Sequence, residues 1–279
     1  MIFQHSPSSA PVTEIISAVV WLLAMVITII LLSKKKLTKT ISIVILGIAF
    51  IVSGIIAGAQ PNPVLPFQHF TVGIGSGQTF LQILRSLNIT LILIVTTFLF
   101  GRIFCGFACP LGAIQELMSK IQFKSNLKEQ KNKKTIKLNS KITFFIRIGY
   151  FIIFIASGII WGLAVVQYLD VFEGFKIFKE PGFPVVGIPA ILIGIIIISS
   201  IFIYRPWCRL LCPYGAIADL TSRLSLFKLR RTDACTDCEL CEKICPTQEA
   251  ERESSKGECY LCNRCVEICP QNAIELKRK

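Results

Sequence analysis

Five apolar blocks of about twenty residues each dominate the first 204 residues: Glu14–Ser33, Ile41–Ala59, Phe80–Phe104, Ile142–Val166 and Val185–Tyr204. Each matches the length that crosses a bilayer core of about 30 Å. In lipid every backbone N–H and C=O must be satisfied within the protein, so blocks of this length imply transmembrane helices. The mean hydropathy of +0.63 is too high for an ordinary soluble domain. After Tyr204 the chain turns polar and rich in cysteine. The expected architecture is an α-helical membrane domain of about five spans (1–228), followed by a small α+β domain (229–279).

The net charge of +13 raises nucleic-acid binding, but its placement argues for topology instead. Lys34–Lys39, Arg102–Lys141 and Arg205–Lys279 hold 26 of the 30 basic residues; Arg85, Lys176 and Lys179 lie on the opposite side, and Arg147 falls within the fourth block. Basic loops stay cytoplasmic. The N-terminus is therefore expected outside and the C-terminal domain inside, in a bacterial or archaeal cytoplasmic membrane. Met1–Thr13 lacks the basic front and small-residue cleavage site of a secretory signal. All twelve cysteines fall on the cytoplasmic side, where reducing conditions favour metal ligation over disulfides.

The membrane domain repeats itself. Gly101–Lys120 and Tyr204–Arg223 align at an offset of 103 with nine of twenty positions identical, including Arg, both Cys, Pro and a Gly-Ala-Ile run. Ser53-Gly54-Ile55-Ile56 matches Ser157-Gly158-Ile159-Ile160 at an offset of 104. Two parallel copies of a helical hairpin (about 41–123 and 142–225) are implied, each ending in Cys-x-x-x-Cys-Pro and related by an axis along the membrane normal.

The C-terminal domain carries Cys235-x-x-Cys238-x-x-Cys241-x-x-x-Cys245-Pro246 and then Cys259-x-x-Cys262-x-x-Cys265-x-x-x-Cys269-Pro270. This is the bacterial two-[4Fe–4S] pattern. Three cysteines at i, i+3 and i+6 wrap three corners of a cubane, and the fourth reaches the other cluster. Cluster one is expected on Cys235, Cys238, Cys241 and Cys269, and cluster two on Cys259, Cys262, Cys265 and Cys245. Structural zinc is the competing use of Cys-x-x-Cys pairs, but it does not explain Cys-Pro at the fourth place twice. Between Thr232 and Glu275 there are ten acidic and four basic residues. Such a face is either simply solvated or steers toward a basic redox partner.

Cys105, Cys109, Cys208 and Cys212 sit just past inward-running helices. Pro110 and Pro213 suit the first turn of the next helix, whose free N–H groups would point at the thiolates. Four thiolates also make a [4Fe–4S] set, and one further centre is expected here. A mononuclear zinc or iron site and reduced thiols packed at the interface are the alternatives. Arg102 and Arg205, three residues before each pair, either anchor at the interface or offset cluster charge. Leu111–Phe123 and Tyr214–Leu229 read as amphipathic segments on the inner interface, and Trp161 and Trp207 as aromatic-belt anchors.

From about Ile41 to the end, the FCGFACPLGAI and WCRLLCPYGAI runs with the two-cluster module resemble the membrane polyferredoxins of the NapH/MauN and NosR kind. The resemblance implies an electron-transfer component of an oxidoreductase complex rather than a stand-alone enzyme. Its expected partners are membrane lipid, redox subunits and the quinone pool, with no nucleic acid. Donating electrons to a maturing metalloenzyme, and sensing redox state or iron, are the alternative functions. His5 and His69 are the only histidines, so a bis-histidine haem inside the bundle has no ligands. His69 reads as a solvated loop residue, with contact to a quinone head group as the alternative. Ser76-Gly77-Gln78-Thr79 loosely resembles the threonine site of flavin attachment in related redox proteins. It is read as a Gly/Ser turn, and FMN is not expected.

Overall fold

The computed structural model describes residues 11–58, 60–75, 80–122, 136–161, 170–178 and 186–278. His5, Lys179 and the Ser76–Thr79 run lie outside them, as do the side chains of Arg85 and Trp161.

The chain is mostly helical. Helix α1 (Pro11–Ser33) leads through Lys34–Thr38 to α2 (Lys39–Ala49), which Thr38 caps and which continues as a π-helical segment, Phe50–Ile56. Helices α3 (Leu65–Gly75), α4 (Phe80–Phe100), α5 (Pro110–Gln122) and α6 (Ser140–Trp161) follow. A 3₁₀ segment, Val171–Phe178, precedes α7 (Gly187–Phe202) and α8 (Pro213–Arg223). Among the described residues, three stretches are long and apolar enough to cross a membrane: Ile16–Ser33, Lys39–Ile56 and Ser140–Ile160. The third and fifth apolar blocks give shorter apolar stretches among the described residues, Thr90–Phe100 and Gly187–Phe202. Isoleucines, leucines and valines face outward all along these helices, as lipid-facing surfaces require.

The two repeats exchange contacts. Helix α5 packs on α2 of its own repeat and on α7 of the other, while α8 packs on α6 and on α4. The segments between spans are not plain loops: α3 returns against α6, and the 3₁₀ segment against α7. The Ser-Gly match at an offset of 104 has its reason here. A Cβ on Gly54 would lie 3.3 Å from the Phe175 ring, and one on Gly158 only 2.8 Å from Thr71 Cβ. Each glycine thus admits the returning segment of the opposite repeat, the close approach for which glycine is suited. His69 therefore sits half-buried on a helix rather than in a solvated loop. Between these segments Asp170, fully buried, accepts hydrogen bonds from Asn62 Nδ2 (2.8 Å), Gln68 Nε2 (3.0 Å) and Phe172 N (3.0 Å).

The C-terminal domain pairs β1 (Phe227–Arg231) antiparallel with β2 (Ile274–Arg278), Leu229 opposite Leu276. Strand β1 begins just ahead of the expected boundary at 229, so Tyr214–Leu229 is a helix ending at Arg223 and then the start of a strand. Between the strands lie two short helices, α9 (Leu240–Ile244) and α10 (Arg264–Ile268), in mutual contact. The halves repeat at 24 residues, the spacing of the cysteine runs. Left-handed backbone recurs at Asp237 and Leu261, Glu239 and Asn263, and Gln248 and Asn272. Non-glycine residues rarely adopt this conformation, and here it curls both cysteine loops the same way.

Candidate metal centres

Two cavities sort the C-terminal cysteines. Cys235, Cys238, Cys241 and Cys269 line one, with Pro270 at its edge. Cys245, Cys259, Cys262 and Cys265 line the other, which also reaches Cys235. Each cavity therefore receives three cysteines from one run and the last of the other. The second is wide, about 690 Å³. The first has only about 20 Å³ of free space, so its side chains must spread to admit a cubane; Cys238, exposed at the surface, has room to move. Ala273 N–H donates to Cys269 Sγ (3.3 Å).

The four remaining cysteines are all buried. Helix α4 ends at Phe100, Gly101 takes a left-handed turn (φ 68°), and Phe104–Ala108 winds as a π-helical turn carrying Cys105. In the second copy Arg205 supplies the left-handed residue (φ 50°) and Trp207–Leu211 the turn carrying Cys208. Cys109 and Cys212 end these turns, and Pro110 and Pro213 open α5 and α8. Cys212 caps α8, its sulfur accepting from Gly215 N (3.3 Å). Gln115 Nε2 donates to Cys208 Sγ (3.5 Å). The four thiols lie within electrostatic reach of one another, and burial pushes all of them up, Cys105 to about 12 despite Arg102. A coordinated metal reverses this preference, because it deprotonates its thiols outright. Directly before Cys208, the buried Trp207 indole N–H has no hydrogen-bond partner among the described residues.

Expectations about the surrounding residues need correction. Arg102 and Arg205 are wholly buried rather than reaching to an interface. Leu111, Ala113, Gln115 and Glu116 of α5, and Tyr214, Ala218 and Asp219 of α8, are buried too, so these helices lie between the bundle and the C-terminal domain. Trp207 packs on Tyr150 inside the protein, not in an interfacial belt. The reason is reciprocal ion pairing. Arg102 of the first repeat meets Asp219 of the second (3.5 Å), and Arg205 of the second meets Glu116 of the first (2.9 Å). Arg102 Nη2 also donates to Gly215 O (2.9 Å), and Arg205 Nη2 to Gly106 O (2.9 Å). The offset that aligns the cysteines also aligns Glu116 with Asp219, the signal from which these partners could have been read.

The second cysteine run of the C-terminal domain docks onto this lattice. Glu258 accepts from Arg147 (2.8 Å) and Arg209 (3.0 Å), and Arg264 donates to Glu116 (2.9 Å). Here Arg102, Arg147, Arg205, Arg209, Arg264 and Lys120 are buried against three buried carboxylates, Glu116, Asp219 and Glu258. Adding Lys228 and Glu249, also buried, leaves the same excess of three positive charges. Uncompensated buried charge is costly, and anionic thiolate-ligated clusters beside it are a chemically fitting counterweight. No three His, Cys, Asp or Glu side chains among the described residues converge on a point where a single ion could bind. A cubane instead takes its thiolates at separate corners of a larger cage.

Comparison with known proteins finds iron–sulfur families along the same stretches of chain. A family of 4Fe-4S binding domains matches residues 83–128 and 185–232, which contain both membrane-edge cysteine pairs, and a second such family matches 255–275. The chain is 28% identical to MJ0750 of Methanocaldococcus jannaschii over 66% of its own length and 75% of that protein's. It is 29% identical to the putative electron transport protein YccM of Escherichia coli, over 63% and 51% of the two lengths. To the ferredoxin-type protein NapH of Haemophilus influenzae it is 20% identical, over 64% and 63%. No solved structure matches the chain. Both cysteine-bearing turns thus fall in 4Fe-4S matches, and the similarity to the ferredoxin-type protein NapH and the putative electron transport protein YccM supports a membrane-type polyferredoxin of the NapH, MauN and NosR kind.

Proposed function

We propose that this protein relays electrons at the cytoplasmic face of a bacterial or archaeal membrane, as a redox subunit linked to the quinone pool. Cys235, Cys238, Cys241 and Cys269 would hold one [4Fe–4S] cluster, Cys259, Cys262, Cys265 and Cys245 a second, and Cys105, Cys109, Cys208 and Cys212 a third. Such clusters, when bound, supply one-electron transfer. The protein's part is to order the three ligand sets and to shield the inner two. The observation that carries this reading is the docking of the second cysteine run onto the turn that holds Cys105 and Cys109, where a Cβ on Gly106 would collide with the Tyr260 carbonyl. The first set, with Cys238 exposed, is the side open to a cytoplasmic partner. Around the buried membrane-edge set, N–H donors on the Cys208 and Cys212 sulfurs and the surrounding arginines favour the anionic form. In membranes from cells producing the protein, quinol or a reduced ferredoxin is expected to reduce all three centres. Cys105→Ser is expected to remove one electron paramagnetic resonance (EPR) signal only. A variant that leaves every signal unchanged contradicts the third ligand set.

A further inference from the structure

We propose that Tyr260 is the positioning residue that locks the second ferredoxin cysteine set to the membrane-edge cysteines, so that the C-terminal domain is permanently docked. This rests on the three-cluster reading above. Tyr260 lies between Cys259 and Cys262 and is 2% exposed. Its hydroxyl accepts from Arg102 Nη1 (2.9 Å), and the guanidinium carbons of Arg205 and Arg102 lie 4.6 Å and 5.2 Å from its ring centre. The Tyr204 ring meets it edge-on at 6.0 Å. Its carbonyl abuts Gly106, the residue directly after Cys105.

Arg205 also grips the cysteine turn, donating to the carbonyls of both Cys105 and Gly106, while Arg102 donates to Gly215 O of the second repeat. One tyrosine is thus held by the residues that shape the neighbouring ligand set. Glu258 and Arg264, on either side of it, are tied into the same buried ion pairs. Domain contacts that open and close are ordinarily polar and solvated; this one buries its charges. Two cations placed between two anionic ligand sets also reduce the repulsion between them.

The test uses the full chain, anaerobically loaded and reduced. Magnetic interaction between the second ferredoxin signal and the membrane-edge signal is expected in EPR spectra of the native protein. Tyr260→Phe, which keeps the ring and both cationic neighbours, is expected to retain it. Tyr260→Ala and Gly106→Ala are expected to weaken it severalfold. An unchanged interaction in Tyr260→Ala at full iron content, or its loss in Tyr260→Phe, overturns the proposal. Hydrogen exchange on the native protein gives a second reading: amides of 258–264 are expected to exchange as slowly as those of α6. Exchange as fast as in 235–241 also overturns it. A preparation with only the two ferredoxin signals contradicts the three-cluster reading itself, and this inference with it.

Discussion

Arg205 Nε lies 2.9 Å from Glu116 Oε2, with both side chains almost completely out of solvent, and the pair joins the second membrane repeat to the first. Burial pushes the Glu116 carboxyl up, but Arg264 and Arg205, helped by Lys120 and the Tyr204 hydroxyl, hold it at about 2. Glu116→Gln leaves Arg205 and Arg264 without their counter-charge. A loss of about 3–5 kcal/mol of stability is expected, read by denaturant unfolding of the purified protein in detergent. Because the folded carboxyl titrates below its ordinary value, its contribution is fully present above about pH 4.5 and lost as pH falls toward 2.

Gly215 is the second-repeat counterpart of Gly112 at the offset of 103. A Cβ there would lie 2.8 Å from Cys208 O and 3.3 Å from Arg147 Cδ, and its N–H caps Cys212 Sγ. Gly215→Ala is expected to displace the Cys208–Cys212 turn and empty the membrane-edge site while sparing the ferredoxin pair. Iron quantitation with EPR distinguishes this from general unfolding.

Asp170 behaves in the opposite sense to Glu116. Burial pushes its carboxyl up to about 6, although Asn62, Phe172 N–H and Gln68 all donate to it. A carboxyl that holds its proton better when folded stabilises most below about pH 4, and that contribution falls as pH rises through about 6. A protonated-carboxyl infrared band that disappears near pH 6 and is missing in Asp170→Asn is the expected signature. That substitution sets an amide NH₂ against Asn62, whose own oxygen already accepts from Val64 N–H (2.8 Å). A destabilisation of about 1–3 kcal/mol is expected.

At the rim the loop after α1 reaches the C-terminal domain, Lys35 Nζ lying 2.8 Å from Glu275 Oε1 and the Asn263 amide donating to Leu37 O. The Lys35 and Glu275 side chains are about a third exposed. Lys35→Ala is therefore expected to cost no more than about 1 kcal/mol, far less than Glu116→Gln under the same conditions.

What the sequence reveals here is whatever a period or a length carries. Apolar blocks follow bilayer thickness, cysteine runs follow cluster geometry, and one offset betrays the duplication. The internal partners of the charges are hidden. Arg102, Arg147 and Arg209 look like topology signals in a basic stretch; the repeat offset points to Asp219, but only the fold reveals that Glu258 pairs with Arg147 and Arg209. The inward return of 65–75 and 171–178 is hidden as well, because a short helix that packs on Gly54 or Gly158 has the composition of a loop. Tyr260 gives no signal by itself, since nothing in its run marks the face that meets Gly106.

Metal and sulfide analysis of anaerobically purified protein is the most direct trial of the central claim. About twelve irons and twelve acid-labile sulfides per chain are predicted, four of each for every cubane. A colourless protein with stoichiometric zinc would contradict it.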